Sequence, residues 1–272
     1  MTCVLHESEC VSLKNDGENP VSFSARYILL AGLLGIMCSS AVYAAKDDLD
    51  ELQMKLSNQW TLVKNDRLRD IKTYARLESG KQYRSFKATV MMKDTRPETL
   101  VRFLLDFDNY HKWYWQVLES RLLKKVSPTE YYLYLVHKAP AGLPDRDVVL
   151  HATIELQNAN RNYITLKVQA EPDYLPLKPP LVRMIAEDLQ FKFTPLENGD
   201  LFVESEGYVD PGGNVPSWAA NFVQHSAPYS VSLGSLRMVK KAEYAHSKEA
   251  IPFAVYDYNE YLSKQLRGQL AQ

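Results

Sequence analysis

Apolar and polar residues alternate with a period of two along several stretches of this chain, and they recur at helical spacing in others. In YRSFKATVMM, Phe86, Ala88, Val90 and Met92 share one face and Ser85, Lys87 and Thr89 the other. The same alternation runs through VVLHATIEL and YITLKVQA, with Asn158 to Asn162 as the turn between them. LQFKFTPL and LFVESEGYVD form a second hairpin around Asn198-Gly199. Helical spacing predicts a short opening helix over 48–59 and a second helix from Pro97 to about Asp106, with Thr95 as its N-cap. The longest helix follows the stretch GYVDPGGNVPSWAANF. Pro211 and the two glycines after it make Asp210 to Gly213 a tight reversal, and Pro216 fits the first turn of a helix. On that helix Trp218, Phe222, His225, Tyr229, Leu233 and Leu236 fall on one face, and Pro228 should interrupt it near its middle. The order is helix, strands, helix, at least six strands joined by hairpins, then a long helix. This is α+β with an antiparallel sheet.

No Gly-, Ser- or Pro-rich linker divides 48–245, so this region reads as one domain, 45–245, with a loop and a final helix in 246–272. The uncharged stretch from Tyr27 to Ala45, with its apolar run YILLAGLLGIM and the small residues of Val42-Tyr43-Ala44, reads as a secretory signal peptide. Residues 1–44 are therefore expected to be an N-terminal extension and leader, and the rest of the chain to be exported, periplasmic or secreted. Uncut, the same stretch could just span a bilayer as an anchor. All three cysteines, Cys3, Cys10 and Cys38, precede the proposed cut, which removes disulfides, thiolate catalysis and cysteine-ligated metals from the mature chain.

The formal net charge is −1 over 272 residues, and the basic residues are scattered. There is no electrostatic footprint for nucleic acid. Nucleophile elbows, zinc-binding histidine pairs and phosphate loops are all missing from the sequence, and the histidines show no metal-ligand spacing, so no catalytic residue, metal or cofactor is expected. Asp145-Arg146-Asp147 is the densest charged spot beside a Pro and Gly loop. Arg146 would lower the pKa of either carboxylate, so the trio is expected to pin loop to strand. The aromatic segment NYHKWYWQ reads as core or cavity wall.

The pieces FKATVMM, FLLDFDNYHKWYWQ, APAGLPDRDVVL, AEPDYLPLKPPLVRM and YVDPGGNVPSWAANFVQHSAPYSVSLGSLRMV together resemble the START (steroidogenic acute regulatory-related lipid-transfer) domain family, bacterial exported type, over residues 55–243. The resemblance implies a helix-grip fold, in which a curved antiparallel β-sheet wraps around a long C-terminal helix and encloses a hydrophobic cavity. It implies a lipid or other hydrophobic small molecule as ligand, with transient membrane contact. The expected cavity roof is Trp218, Phe222, His225 and Tyr229; Arg146, Asn221, His225 and Tyr229 are the expected polar contacts. The expected gate is the 139–144 loop, with Gly142, Leu143 and Pro144, facing the helix start at Pro216. Ala152 stands where the sterol-binding branch carries a buried Arg, which argues against a sterol. Two other readings stay open on this scaffold: a cyclase- or hydrolase-like enzyme, marked by a polar dyad with perturbed pKa inside the cavity, for instance around His225 or His151, and an accessory subunit of a membrane complex. For the latter, Phe253, Val255, Tyr256, Tyr258 and Tyr261 of the C-terminal extension would supply a docking face.

Overall fold

The computed structural model of the protein describes residues 58–140 and 142–270. The proposed leader and residues 48–57 of the expected opening helix lie outside them. Ten strands form one sheet: β1 (Thr61–Asp66), β2 (Ile71–Arg76), β3 (Ser85–Met92), β4 (Val117–Ser127), β5 (Glu130–His137), β6 (Arg146–Glu155), β7 (Ile164–Ala170), β8 (Val182–Arg183), β9 (Ala186–Pro195) and β10 (Leu201–Asp210). Their order is β1-β2-β3-β10-β9-β7-β6-β5-β4, antiparallel throughout this path, with the short β8 added parallel to β6. The helices are α1 (Pro97–Leu104), α2 (Ser217–Met238), α3 (Ala242–Ala245) and α4 (Tyr258–Leu266), with a 3₁₀ helix at Phe107–Lys112. This is the curved antiparallel sheet with a long C-terminal helix that the sequence led us to expect.

Both hairpins form as the alternation predicts. Leu201 of β10 pairs with Pro195 of β9 across the Asn198-Gly199 turn, and Leu150 to Glu155 of β6 pair with Ala170 to Thr165 of β7. Three of these strands escaped the periodicity for reasons the structure shows: β1 and β4 are edge strands with mostly exposed positions, and β5 is buried on both faces over Leu133 to Val136, so none of them shows a clean alternation.

The start of β6 is likewise buried on both faces, because the segment 171–181 lies over the outside of the sheet. Leu175 and Leu181 pack there against Tyr134, Val136 and Val149. Arg183 pins this segment. Its Nε and Nη2 donate to the two oxygens of buried Asp147 at 3.0 and 2.9 Å, and its remaining donors reach the carbonyls of Pro172, Leu175 and Pro176. Of the charged trio, Asp147 thus fixes the outer loop, while Asp145 accepts from the Ala139 N–H and fixes the base of the β5–β6 loop.

Two local expectations need correction. The N-cap of α1 is Arg96 rather than Thr95, whose hydroxyl donates instead to the Lys93 carbonyl, and Pro97 occupies the first turn. Pro228 does not interrupt α2, which is continuous from Ser217 to Met238 with Pro216 as its N-cap. The missing N–H costs the helix one internal hydrogen bond, and burial of Pro228 against the cavity offsets that loss. The turn before the helix is as tight as expected: Gly212 and Gly213 have φ of 65° and 64°, and Asp210 Oδ1 accepts from the Gly212 N–H.

In the C-terminal segment, α4 begins with a full capping box between Asp257 and Glu260. Val255 and Tyr261 are buried, Phe253 packs on the core, and Gln157 holds the Tyr256 backbone through both its amide N–H and its carbonyl. Most of the apolar face proposed for a partner therefore packs on the protein's own core and β6–β7 turn.

Candidate functional site

Period-two strands place every second side chain on the concave face, and α2 crosses that face. Between them lies an apolar cavity of about 230 Å³. Its floor comes from strand positions of one parity: Tyr131, Leu133, Leu135 and His137 on β5; Leu150, Ala152 and Ile154 on β6; Glu187, Leu189, Phe191 and Phe193 on β9. Phe103 of α1 and the aromatic residues Tyr110, Trp113, Tyr114 and Trp115 close one side, so NYHKWYWQ is cavity wall as well as core. Phe103, Tyr110 and Tyr114 all pack tilted or edge-on around Trp113, with ring centroids 4.5, 5.0 and 5.3 Å from it.

The roof is the other face of α2 from the one expected. Ala219, Ala220, Val223, Gln224, Ala227, Pro228 and Val231 line the cavity. At 3.6 residues per turn, Trp218, Phe222, His225 and Tyr229 lie on the opposite side. Trp218 and Phe222 are 56% and 51% exposed, and Asn221 and His225 are also exposed. The aromatic stripe drew attention because it is large, yet a roof that leaves room for a ligand needs small side chains. Tyr229 instead donates to Asp66 Oδ2 at 2.7 Å with Lys64 over its ring, tying α2 to the β1–β2 hairpin. The Tyr229 hydroxyl, then Arg69, hold the Asp66 carboxyl down at about 2.

Of the predicted contacts, Arg146 does reach the cavity wall. Its Nη1 donates to the Pro144 carbonyl and its Nε, at 3.4 Å, to that of Pro211, so it links the β5–β6 loop to the turn before α2. Burial pulls its pKa down from the ordinary guanidinium value. Leu143 lines the cavity together with Ala139 and Pro140, opposite Val215 and the first turns of α2. Gly142 has φ of 85° with open space around it, while Pro144 and Pro216 flank the lining without contributing to it.

One polar cluster interrupts the apolar lining, and sequence reasoning missed it. The Tyr114 hydroxyl donates to Glu187 Oε1 at 2.5 Å, and His137 Nε2 lies 3.4 Å from Glu187 Oε2. His137 Nδ1 sits 3.0 Å from the Trp115 carbonyl, which can only accept, so Nδ1 carries a hydrogen. Nε2 then faces a carboxylate oxygen, and two lone pairs would repel there, so Nε2 carries a hydrogen as well. Burial works against charge on either partner. For His137 the Glu187 carboxylate and the Trp115 carbonyl outweigh it and raise the pKa; for Glu187 the imidazolium and the Tyr114 hydroxyl outweigh it and lower the pKa. Burial, reinforced by Glu187, pushes the Tyr114 phenol well above its ordinary value.

The alignment of His137 with Glu187 is too poor for a hydrogen bond. Both Nε2 and Oε2 are buried without one, as is Trp113 Nε1. Each such orphaned group costs about 1–3 kcal/mol in a folded protein, which is tolerable where a ligand completes the bonding. The available signal was parity: Glu187 shares its face with Leu189, Phe191 and Phe193, an odd place for a carboxylate unless it works there.

No family model matches the chain. It is 27% identical over 179 residues to an uncharacterised protein of Pseudomonas aeruginosa, covering 66% of this chain and 86% of that one. It is 32% identical to the crystal structure of a STAR-related lipid transfer protein from Xanthomonas axonopodis, covering 67% of this chain and 99% of that one, with a TM-score of 0.60. The chain belongs to the START family. Human STARD10 and human StAR-related lipid transfer protein 5 share the fold at 17% and 13% identity, with TM-scores of 0.57 and 0.56; they cover 79% and 75% of this chain, and it covers 91% and 97% of theirs. The sheet and α2 are the two parts of this helix-grip fold, and the cavity lies between them. Among the described residues there is no helix long and apolar enough to cross a membrane and no cluster of metal-ligating side chains.

Proposed function

We propose that the protein is an exported carrier that takes one hydrophobic molecule out of a membrane, holds it in the cavity under α2 and releases it to another membrane. The observation that carries this reading is the apolar cavity between sheet and α2 in a START domain, roofed by small side chains that leave room in it. A tail buried there gains about 0.8 kcal/mol per methylene, so affinity needs few polar contacts. Uptake runs between the 139–144 loop and the start of α2, where Arg146 is the main polar tie. Its two bonds are to carbonyls rather than to a charge, so they exchange readily for bonds to water. Exposed Trp218 and Phe222 supply the membrane contact at this end, since aromatic side chains favour the boundary between lipid and water. The test is transfer of a pyrene-labelled lipid from donor to acceptor vesicles. Catalytic amounts of the protein should accelerate it, and an unchanged rate across lipid classes would refute the proposal.

A second reading, an enzyme on the same scaffold, is favoured by the buried His137–Glu187 pair, the kind of dyad that acid–base chemistry requires. It predicts that the mass of a cavity ligand changes on incubation. A carrier returns its ligand intact.

A further inference from the structure

His137 and Glu187 stand at the mouth end of the cavity, at the last residue of β5 and the second of β9. Deeper positions on the same strands, Leu135 and Leu133 on one and Leu189, Phe191 and Phe193 on the other, are apolar. We propose that His137 Nε2 and Glu187 Oε2 together seat a single hydroxyl group of a ligand that is otherwise apolar, an inference that rests on the carrier reading above. The two atoms are 3.4 Å apart and neither has a hydrogen bond. An oxygen about 2.8 Å from each closes a triangle on that edge, within the ordinary range for such bonds. The ligand O–H donates to Oε2, and its oxygen accepts from Nε2–H. Tyr114 acts as a positioning residue, holding the other carboxylate oxygen so that Oε2 stays aimed.

Charge selects the ligand class. The pair holds one carboxylate and one proton to match it, so it is neutral as a unit. A phosphate or carboxylate placed there would face the Glu187 carboxylate, which already matches the charge of the His137 imidazolium, and Lys138 is exposed at the rim. An ammonium group would face the imidazolium. A hydroxyl brings one donor, one acceptor and no charge. With the hydroxyl seated at the mouth end, the chain runs inward along β5 and β9, so the ligand enters tail first.

The full chain is tested by equilibrium dialysis with radiolabelled 1-dodecanol, competed by dodecanoate, dodecylamine and dodecyl methyl ether. The ether keeps the acceptor and loses the donor. The alcohol should bind at least about tenfold more tightly than each competitor. In Glu187→Gln the amide N–H₂ would bond directly to a neutral His137, closing the seat, and the preference should shrink to about threefold or less. If that variant does not fold, the alcohol-to-ether ratio of the wild-type protein decides alone. Equal affinity for all four compounds overturns the hydroxyl seat and leaves the carrier reading standing. So does an alcohol preference that survives Glu187→Gln. Failure to bind any of them overturns both.

Discussion

Replacing Ala227 with phenylalanine tests which face of α2 meets the ligand. Ala227 points into a cavity of about 230 Å³, and the new ring brings about six carbons into the space a lipid tail would fill. If the ring displaces three methylenes of ligand, the loss is about 2.4 kcal/mol at about 0.8 kcal/mol each, or roughly 50-fold in Kd. The fold should tolerate the change, because the ring enters open volume rather than a packed core. Phe222→Ala removes the same ring from the opposite face, where it is 51% exposed, and should leave Kd within about twofold. Titration of a fluorescent acyl probe into both variants, with thermal melts as the control for folding, gives the two numbers side by side. An Ala227→Phe protein that binds like the wild type, beside a Phe222→Ala protein that does not, would return the roof to the aromatic stripe and refute the assignment.

Arg183→Met leaves Asp147 buried and without its partner, a change that typically costs about 3–5 kcal/mol; at about 2–4 °C per kcal/mol for a domain of this size, the melting temperature should fall by roughly 6–20 °C, with new proteolytic cleavage in 172–181. A drop of less than about 3 °C would show that the pair does not hold that segment. Gly212→Ala places a β-carbon against the Arg183 carbonyl at a positive φ, and chemical denaturation should show a loss of more than about 1 kcal/mol; an unchanged midpoint would mean that the turn is not held as described. The His137–Glu187 pair has a defined pH window. Glu187, lowered from its ordinary 4.5, stabilises above that pH and loses its contribution in acid; His137, raised from its ordinary 6.5, stabilises below that pH and loses its contribution as pH rises past it. Melts of the wild type against a Glu187→Gln/His137→Gln double variant should therefore differ most between about pH 4.5 and 6.5, and a difference that is flat with pH would remove the hydrogen on Nε2.

Much of the architecture was legible because period-two alternation survives wherever one face is covered and the other wet, as in β3, β7 and β9. It failed on β5, whose back is covered by the proline-rich segment, since a strand buried twice has no polar face to reveal it. On α2 helical periodicity was present twice, once in large aromatic residues and once in small ones. Size drew the eye to the wrong stripe, although a cavity wall must be made of what leaves space. The His137–Glu187 pair lies 50 positions apart in sequence and comes together only because β5 and β9 belong to one curved sheet. Neither residue has a motif around it, and only the inward parity of Glu187 on an apolar strand face marks it.

The most direct test of the central claim is native mass spectrometry of the full chain purified from its host, followed by organic extraction and identification of what is released. The account predicts one hydrophobic molecule per protein, lost in Ala227→Phe and chemically unchanged on incubation. A protein that emerges empty, and stays empty after mixing with vesicles of its host's lipids, would contradict it.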